Sequence, residues 1–222
     1  IFTSEKLRSY DLEIVQLFSS GDIVNAETCA ENNIRLKTFR SGQAVSDDLR
    51  GGHEDFIPAN LVEIPYIFGT KALEIDVAVI TTSQPDRRGF MSLGLAVDVA
   101  DTVIRNAKIV VAEVNSNMPV TSGESSVHID QVDHVIISSE PIPVREQKPY
   151  SSIQDRIGWH VSNLIPDGST VVLHVGRIFD AIAVHLMSKR NLDILTSVVS
   201  DWVIGLVEAG AISMYRKRES GG

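Results

Sequence analysis

A single cysteine, Cys29, stands among 222 residues, so no disulfide can form within the chain and its fold must rest on burial. That scarcity fits a reducing compartment and predicts a cytoplasmic protein. No stretch approaches the ~20 consecutive apolar residues that cross a bilayer, and the opening residues hold no basic region followed by an apolar one, which argues against a membrane span or secretory signal. Basic side chains are also scarce. The 20 Lys and Arg against 29 Asp and Glu leave a net charge of −9 and a pI near 5.1, a balance that opposes nucleic acid and anionic lipid as partners. Internal repeats and low-complexity tracts are lacking too, apart from a tail at 216–222 that reads as frayed or cut. The sequence opens at Ile1 with no initiator methionine, so its natural beginning is expected to lie upstream.

What is present is a chain that is 43% apolar and long enough to bury a real core. Short β-branched and apolar runs alternate with helical patterns, which predicts an α/β fold with a largely parallel open sheet flanked by helices on both sides. The strands are read at Leu12–Phe18, Asp76–Thr82, Ala107–Val114, Val132–Ile137 and Thr170–Val175, and the helices at Val97–Asn106, Ser152–Leu164, Ile178–Ser188 and Asp201–Ala209. In the second helix Ile153, Ile157, Val161 and Leu164 recur at helical spacing and are expected to pack on the sheet. Three prolines between Ser139 and Pro149 permit neither helix interior nor central strand. They divide the chain into a first domain at 1–140, a linker at 141–150, and a second α/β unit at 151–222 that is short for an independent domain and is expected to be incomplete.

Several unrelated blocks then follow in a telling order. Asp55-Phe56-Ile57-Pro58 leads through Leu61 to Glu63-Ile64-Pro65. The strand Asp76-Val77-Ala78-Val79-Ile80 runs into Ser83-Gln84-Pro85-Asp86-Arg87-Arg88-Gly89-Phe90-Met91-Ser92-Leu93-Gly94, whose Pro, Asp and Gly make a turn. Ala107-Lys108-Ile109-Val110-Val111-Ala112-Glu113-Val114-Asn115 leads to Met118-Pro119, Gly123 and His128, and Leu206-Val207-Glu208-Ala209-Gly210 closes the series. From about Ile34 onward these blocks resemble, in order and spacing, the N-terminal half of the acetyl-CoA hydrolase/transferase family.

The resemblance implies a CoA-transferase-like fold and exchange of coenzyme A between an acyl-CoA and a small carboxylate. Coenzyme A is then a substrate, and no covalently bound cofactor is expected. In such enzymes a glutamate attacks the thioester, forming an acyl anhydride and then a glutamyl-CoA thioester, because only a carboxylate keeps the acyl group activated. The family's H-T-E-M-I-S-D block matches Leu195-Thr196-Ser197-Val198-Val199-Ser200-Asp201, so Ser197 stands where the glutamate belongs and Leu195 where the histidine belongs. Asp201 is read as a helix cap. The glycine-rich L-G-I-G-G-I-P-D turn matches Leu173-His174-Val175-Gly176-Arg177-Ile178-Phe179-Asp180 and keeps one glycine of three. Gly176, Arg177 and Ile178 are therefore the candidate CoA-binding positions at a strand-to-helix turn, with Arg177 either offering a cation to a CoA phosphate or closing the approach. Glu113 and Asn115, at the C-terminal end of a buried strand, are the remaining candidates, although Asn115 also suits a turn cap.

His128, Asp130, Asp133 and His134 are read as the polar side of an edge strand, with His128 and Asp130 on one face, rather than as a metal site. The leading functional reading is half of a CoA-transferase whose partner subunit supplies the glutamate. A non-catalytic acyl-CoA-binding or regulatory subunit comes second. A hydrolase acting through Ser197 comes last, since no histidine base is expected beside it.

Overall fold

Alternating buried and exposed positions along short β-branched segments make strands, and in this chain they pair mostly in parallel. The structure is a computed structural model that describes residues 10–17, 29, 31–32, 34–39, 54–144 and 147–212. It divides into two compact units, Ile1–Val144 and Arg145–Gly222, and residues 139–144 and 147–150 carry no helix or strand.

In the first unit, β1 (Leu12–Gln16), β2 (Ile34–Thr38) and β3 (Glu54–Phe56) form a parallel sheet in that order. The expected end of the first strand at Phe18 lies outside the described residues. Helix α1 (Ile64–Gly69) carries Pro65 in its first turn, where a proline is tolerated, and buries Ile64 and Phe68 against Phe39. The Phe39 and Phe68 rings meet edge-on at 5.8 Å.

A second parallel sheet runs β4 (Val77–Thr82), β6 (Ile109–Asn115), β8 (His134–Ser138), with β6 in the centre. Its covered face is Ala78, Ile80, Val110, Ala112 and Val114, and Ile104 of α2 (Ala100–Asn106) packs with them. The opposite face, carrying Val77, Val79 and Ile109, is exposed, so among the described residues of this unit a helix covers the sheet on one side, where the sequence suggests both. Between β4 and β6 the chain makes β5 (Phe90–Ser92), which pairs antiparallel with β7 (Ser126–His128). The fold is mixed α/β with mainly parallel sheets flanked by helices, as the sequence predicts, and among the described residues the strands fall into four small sheets where one open sheet is expected.

The second unit holds α3 (Ser152–Asn163), β9 (Thr170–Val172), α4 (Arg177–Leu186), β10 (Asp193–Leu195) and α5 (Trp202–Glu208), with β9 and β10 parallel. Ser151 caps α3 by accepting the Gln154 amide, and Gln154 returns a bond to the Ser151 amide. The expected packing face of α3 is corrected here. Ile153 is 68% and Leu164 82% exposed, whereas Gly158 and Ser162 are buried. A Cβ on Gly158 would stand 2.7 Å from the Ala181 carbonyl oxygen, so this glycine lets α3 press its backbone against α4. Close backbone approach, rather than hydrophobic periodicity, chose the buried face. The core of the unit gathers Val171, Leu173, Leu186, Leu192, Trp202 and Leu206. Gly210, at φ +67°, ends α5 where the sequence places its stop. Among the described residues no helix is long and apolar enough to cross a membrane.

Candidate functional site

The Ser83–Gly94 segment is built by backbone demand. Asp86 Oδ1 accepts the amides of Arg88 at 2.8 Å and Phe90 at 2.9 Å, while its own carbonyl receives the Gly89 amide at 3.0 Å. Those two amide bonds hold the Asp86 carboxyl below its ordinary range. Gly89 sits at φ +84°, with its missing Cβ facing His128 Nε2 at 2.7 Å. That nitrogen donates to the Arg88 carbonyl at 2.9 Å, and Nδ1 receives the Asp130 amide at 3.3 Å.

Both His128 nitrogens are therefore taken by the backbone. Residues Ile129–Gln131 form a turn of 3₁₀ helix, so His128 and Asp130 do not share a strand face as expected, because the chain coils before β8. Asp133 accepts the Val110 amide at 2.7 Å. Among the described residues no group of three or more His, Cys, Asp or Glu side chains is arranged to hold a metal.

Ser92 is buried and links the next two blocks: its Oγ accepts the amides of Gly94 at 3.1 Å and Thr121 at 3.0 Å. Gly94, at φ +59°, lies directly under Met118, whose sulfur would clash with any Cβ. The Ser-Leu-Gly and Met-Pro blocks are thus two halves of one packed corner. Beside them, Glu113 is half-buried and receives the Thr81 hydroxyl at 3.3 Å. Asn115 is buried; its Oδ1 accepts the Asn117 amide at 2.8 Å and its Nδ2 donates to the Glu140 carbonyl at 2.9 Å. Both lie at the C-terminal end of β6, but the Asn115 amide organises the turn that follows.

In the second unit the register decides the geometry. Val172 pairs with Leu195, and the ladder continues as the Leu173 amide reaches the Leu195 carbonyl at 3.1 Å. Two residues beyond each strand stand His174 and Ser197, at the C-terminal edge where α/β sheets open to ligands. Ser197 Oγ lies 3.3 Å from His174 Nδ1, and both residues are exposed. This corrects the expectation that no histidine stands beside Ser197. The residue opposite it came from the neighbouring strand, not from position 195.

His174 also meets the Phe179 ring edge-on at 5.9 Å. Gly176, at φ +141°, starts α4, and a Cβ there would only touch Phe179 at 3.7 Å. The glycine is needed for its backbone angle and not for room. Arg177 and Ile178 follow as the first exposed residues of α4, whose leading amides have no partner within the helix. Asp201 occupies the position before α5, but its side chain makes no capping bond, a correction whose cause is its helical backbone angle: a capping residue holds its carboxylate over the first turn from an extended conformation.

The acetyl-CoA hydrolase/transferase N-terminal domain model matches residues 4–146. The chain belongs to the acetyl-CoA hydrolase/transferase family. It is 34% identical over 206 residues to 4-hydroxybutyrate coenzyme A transferase of Clostridium kluyveri, which covers 93% of this chain and 48% of that protein. It is 36% identical over 194 residues to succinyl-CoA:acetate/propanoyl-CoA:succinate CoA transferase of Fasciola hepatica, covering 86% of this chain and 41% of that one. The solved structure of 4-hydroxybutyrate CoA-transferase from Porphyromonas gingivalis superposes with a TM-score of 0.72 at 26% identity, over 93% of this chain and 55% of that chain. RipA from Yersinia pestis shares the fold, with a TM-score of 0.80 at 24% identity over 94% of this chain and 51% of that chain. The chain spans about half the length of the curated relatives it matches.

Proposed function

We propose that this chain is one half of a CoA-transferase that moves coenzyme A between an acyl-CoA and a small carboxylate in the cytoplasm, with the attacking glutamate and the rest of the active site supplied by a partner chain. One observation supports the reading: Ser197 occupies the loop after β10, in the stretch that resembles the family's glutamate-bearing block. A serine ester is a weaker acyl donor than an anhydride, so a hydroxyl cannot return the acyl group to an exchange with CoA.

In this reading the leading amides of α4, with Gly176, Arg177 and Ile178, face the phosphates of CoA. Glu113 lines the substrate side of β6, and Asn115 shapes that edge through the turn it holds. Coenzyme A is a substrate rather than a covalently bound cofactor.

The loss of the glutamate and of two family glycines at His174 and Arg177 favours a second reading, a non-catalytic subunit that binds acyl-CoA. One experiment separates the two. The chain, alone and with its co-purifying partner, is incubated with an acyl-CoA and acetate, and the adduct is trapped with borohydride or hydroxylamine. A glutamyl-CoA adduct that appears on the partner only when both chains are present supports the transferase. Acyl-CoA binding without an adduct under either condition supports the subunit that binds and does not react.

A further inference from the structure

The parallel register of β9 and β10 places a hydroxyl and an imidazole side by side on an open edge, and nothing in the transferase scheme uses either. Ser197 Oγ and His174 Nδ1 are 3.3 Å apart, within reach of a proton transfer once a substrate draws the two together. Thr196 closes the loop around the serine by donating to the Val198 carbonyl at 2.8 Å and accepting the Val198 amide at 3.2 Å. Phe179 rests edge-on against the imidazole, which limits its rotation. Exposed apolar side chains flank both residues in the chain, Val175 and Ile178 beside His174, Leu195 and Val198 beside Ser197, which suits an aliphatic acyl group.

We infer that Ser197 and His174 form a nucleophile–base pair with which this chain, without a partner, hydrolyses short aliphatic acyl thioesters of coenzyme A. His174, carrying its proton on Nε2, takes the Ser197 proton at Nδ1 as Oγ attacks the thioester carbonyl. The C–S bond breaks, the CoA sulfur leaves with the proton from the imidazolium, and the acyl group remains as a serine ester. Water then attacks the ester, His174 again takes the proton and returns it to Oγ, and the carboxylic acid departs. No oxidant or further reactant is needed. The inference rests on the preceding reading only in taking CoA thioesters as the substrates.

The test uses the whole chain with two probes, a fluorophosphonate and butyryl-CoA. The fluorophosphonate is expected to label Ser197, located by mass spectrometry, and butyryl-CoA to release free thiol with a butyryl group found on Ser197. Ser197→Ala abolishes both signals. His174→Gln lowers both by about 100-fold or more. Because both residues are exposed, circular dichroism of the variants should match the parent. Binding of CoA with no label at Ser197, or labelling of His174→Gln at the parental rate, overturns the pair and leaves the CoA reading standing. Labelling of Ser197 in a chain that neither binds nor cleaves butyryl-CoA overturns the thioester step, and the partner-dependent transferase reading is then judged by its own trapping experiment.

Discussion

Asp86 is the most heavily used carboxylate of the turn after β4, and its use is structural. The Phe90 and Arg88 amides that bond it favour its ionised form and set its pKa below the ordinary value of 3.8. A folded pKa below the unfolded one means that the bonds stabilise the fold above pH 3.8 and that this contribution fades as the pH falls below 3.8 toward the folded pKa. Asp86→Asn should therefore melt at lower temperature than the parent near neutral pH, and the gap should close as thermal unfolding is followed down through this window. A gap that stays constant with pH would mean that the turn does not depend on the charge. His128 shows the same economy: its place in an apparent acidic–histidine cluster is explained by two backbone bonds. Sequence alone cannot distinguish a polar side chain that faces a ligand from one that satisfies its own backbone, because both draw on the same residue types.

Helix α3 carries an apolar stripe of which Val161 packs against the core while Ile153, Ile157 and Leu164 stay exposed. Its four apolar positions at helical spacing were legible in the sequence, but the buried contact with α4 passes through Gly158 and Ser162. Two helices held by a glycine contact place backbone against backbone, and that distance is set by the partner helix rather than by the period of α3. Gly158→Ala separates the two effects. Alanine is the better helix former by about 1 kcal/mol, so a free helical surface would gain stability. Here the new Cβ meets the Ala181 carbonyl oxygen at 2.7 Å, backbone that cannot swing aside, and overpacking of this kind costs about 1 to 3 kcal/mol. Urea unfolding should show a net loss, and an unchanged or raised midpoint would mean that the helices part without cost. The Asp155–His185 bond across the same pair, at 3.0 Å, is a second tie between them.

Across the whole molecule, apolar surface remains exposed on each unit considered by itself. Val77, Val79 and Ile109 lie open on the β4-β6-β8 sheet, and Ile178, Leu195, Val199 and Ile204 lie open in the second unit. A parallel sheet is normally covered on both faces, and exposed apolar patches of this kind mark sites of association. If a partner chain completes the enzyme, it should cover such surface. The chain alone is expected to raise the fluorescence of a hydrophobic dye such as ANS, and adding the partner should lower it. A signal unchanged by a partner that demonstrably binds would remove apolar burial as the basis of assembly.

The sequence by itself determined the family and the alternation of strand and helix, because each is written in local order: a turn needs its Pro, Asp and Gly, a buried strand its β-branched run. Element ends differ from those read in the sequence by no more than three residues at β4, β6, α2, α3 and α4. Only the tertiary structure decided what stands beside Ser197. His174 lies 23 positions away in the chain, and only the register between β9 and β10, set by how the strands pack on the core around Leu173 and Leu192, brings the two together. Register is a property of paired strands, and a single residue of slip would have turned one of the two side chains to the other face.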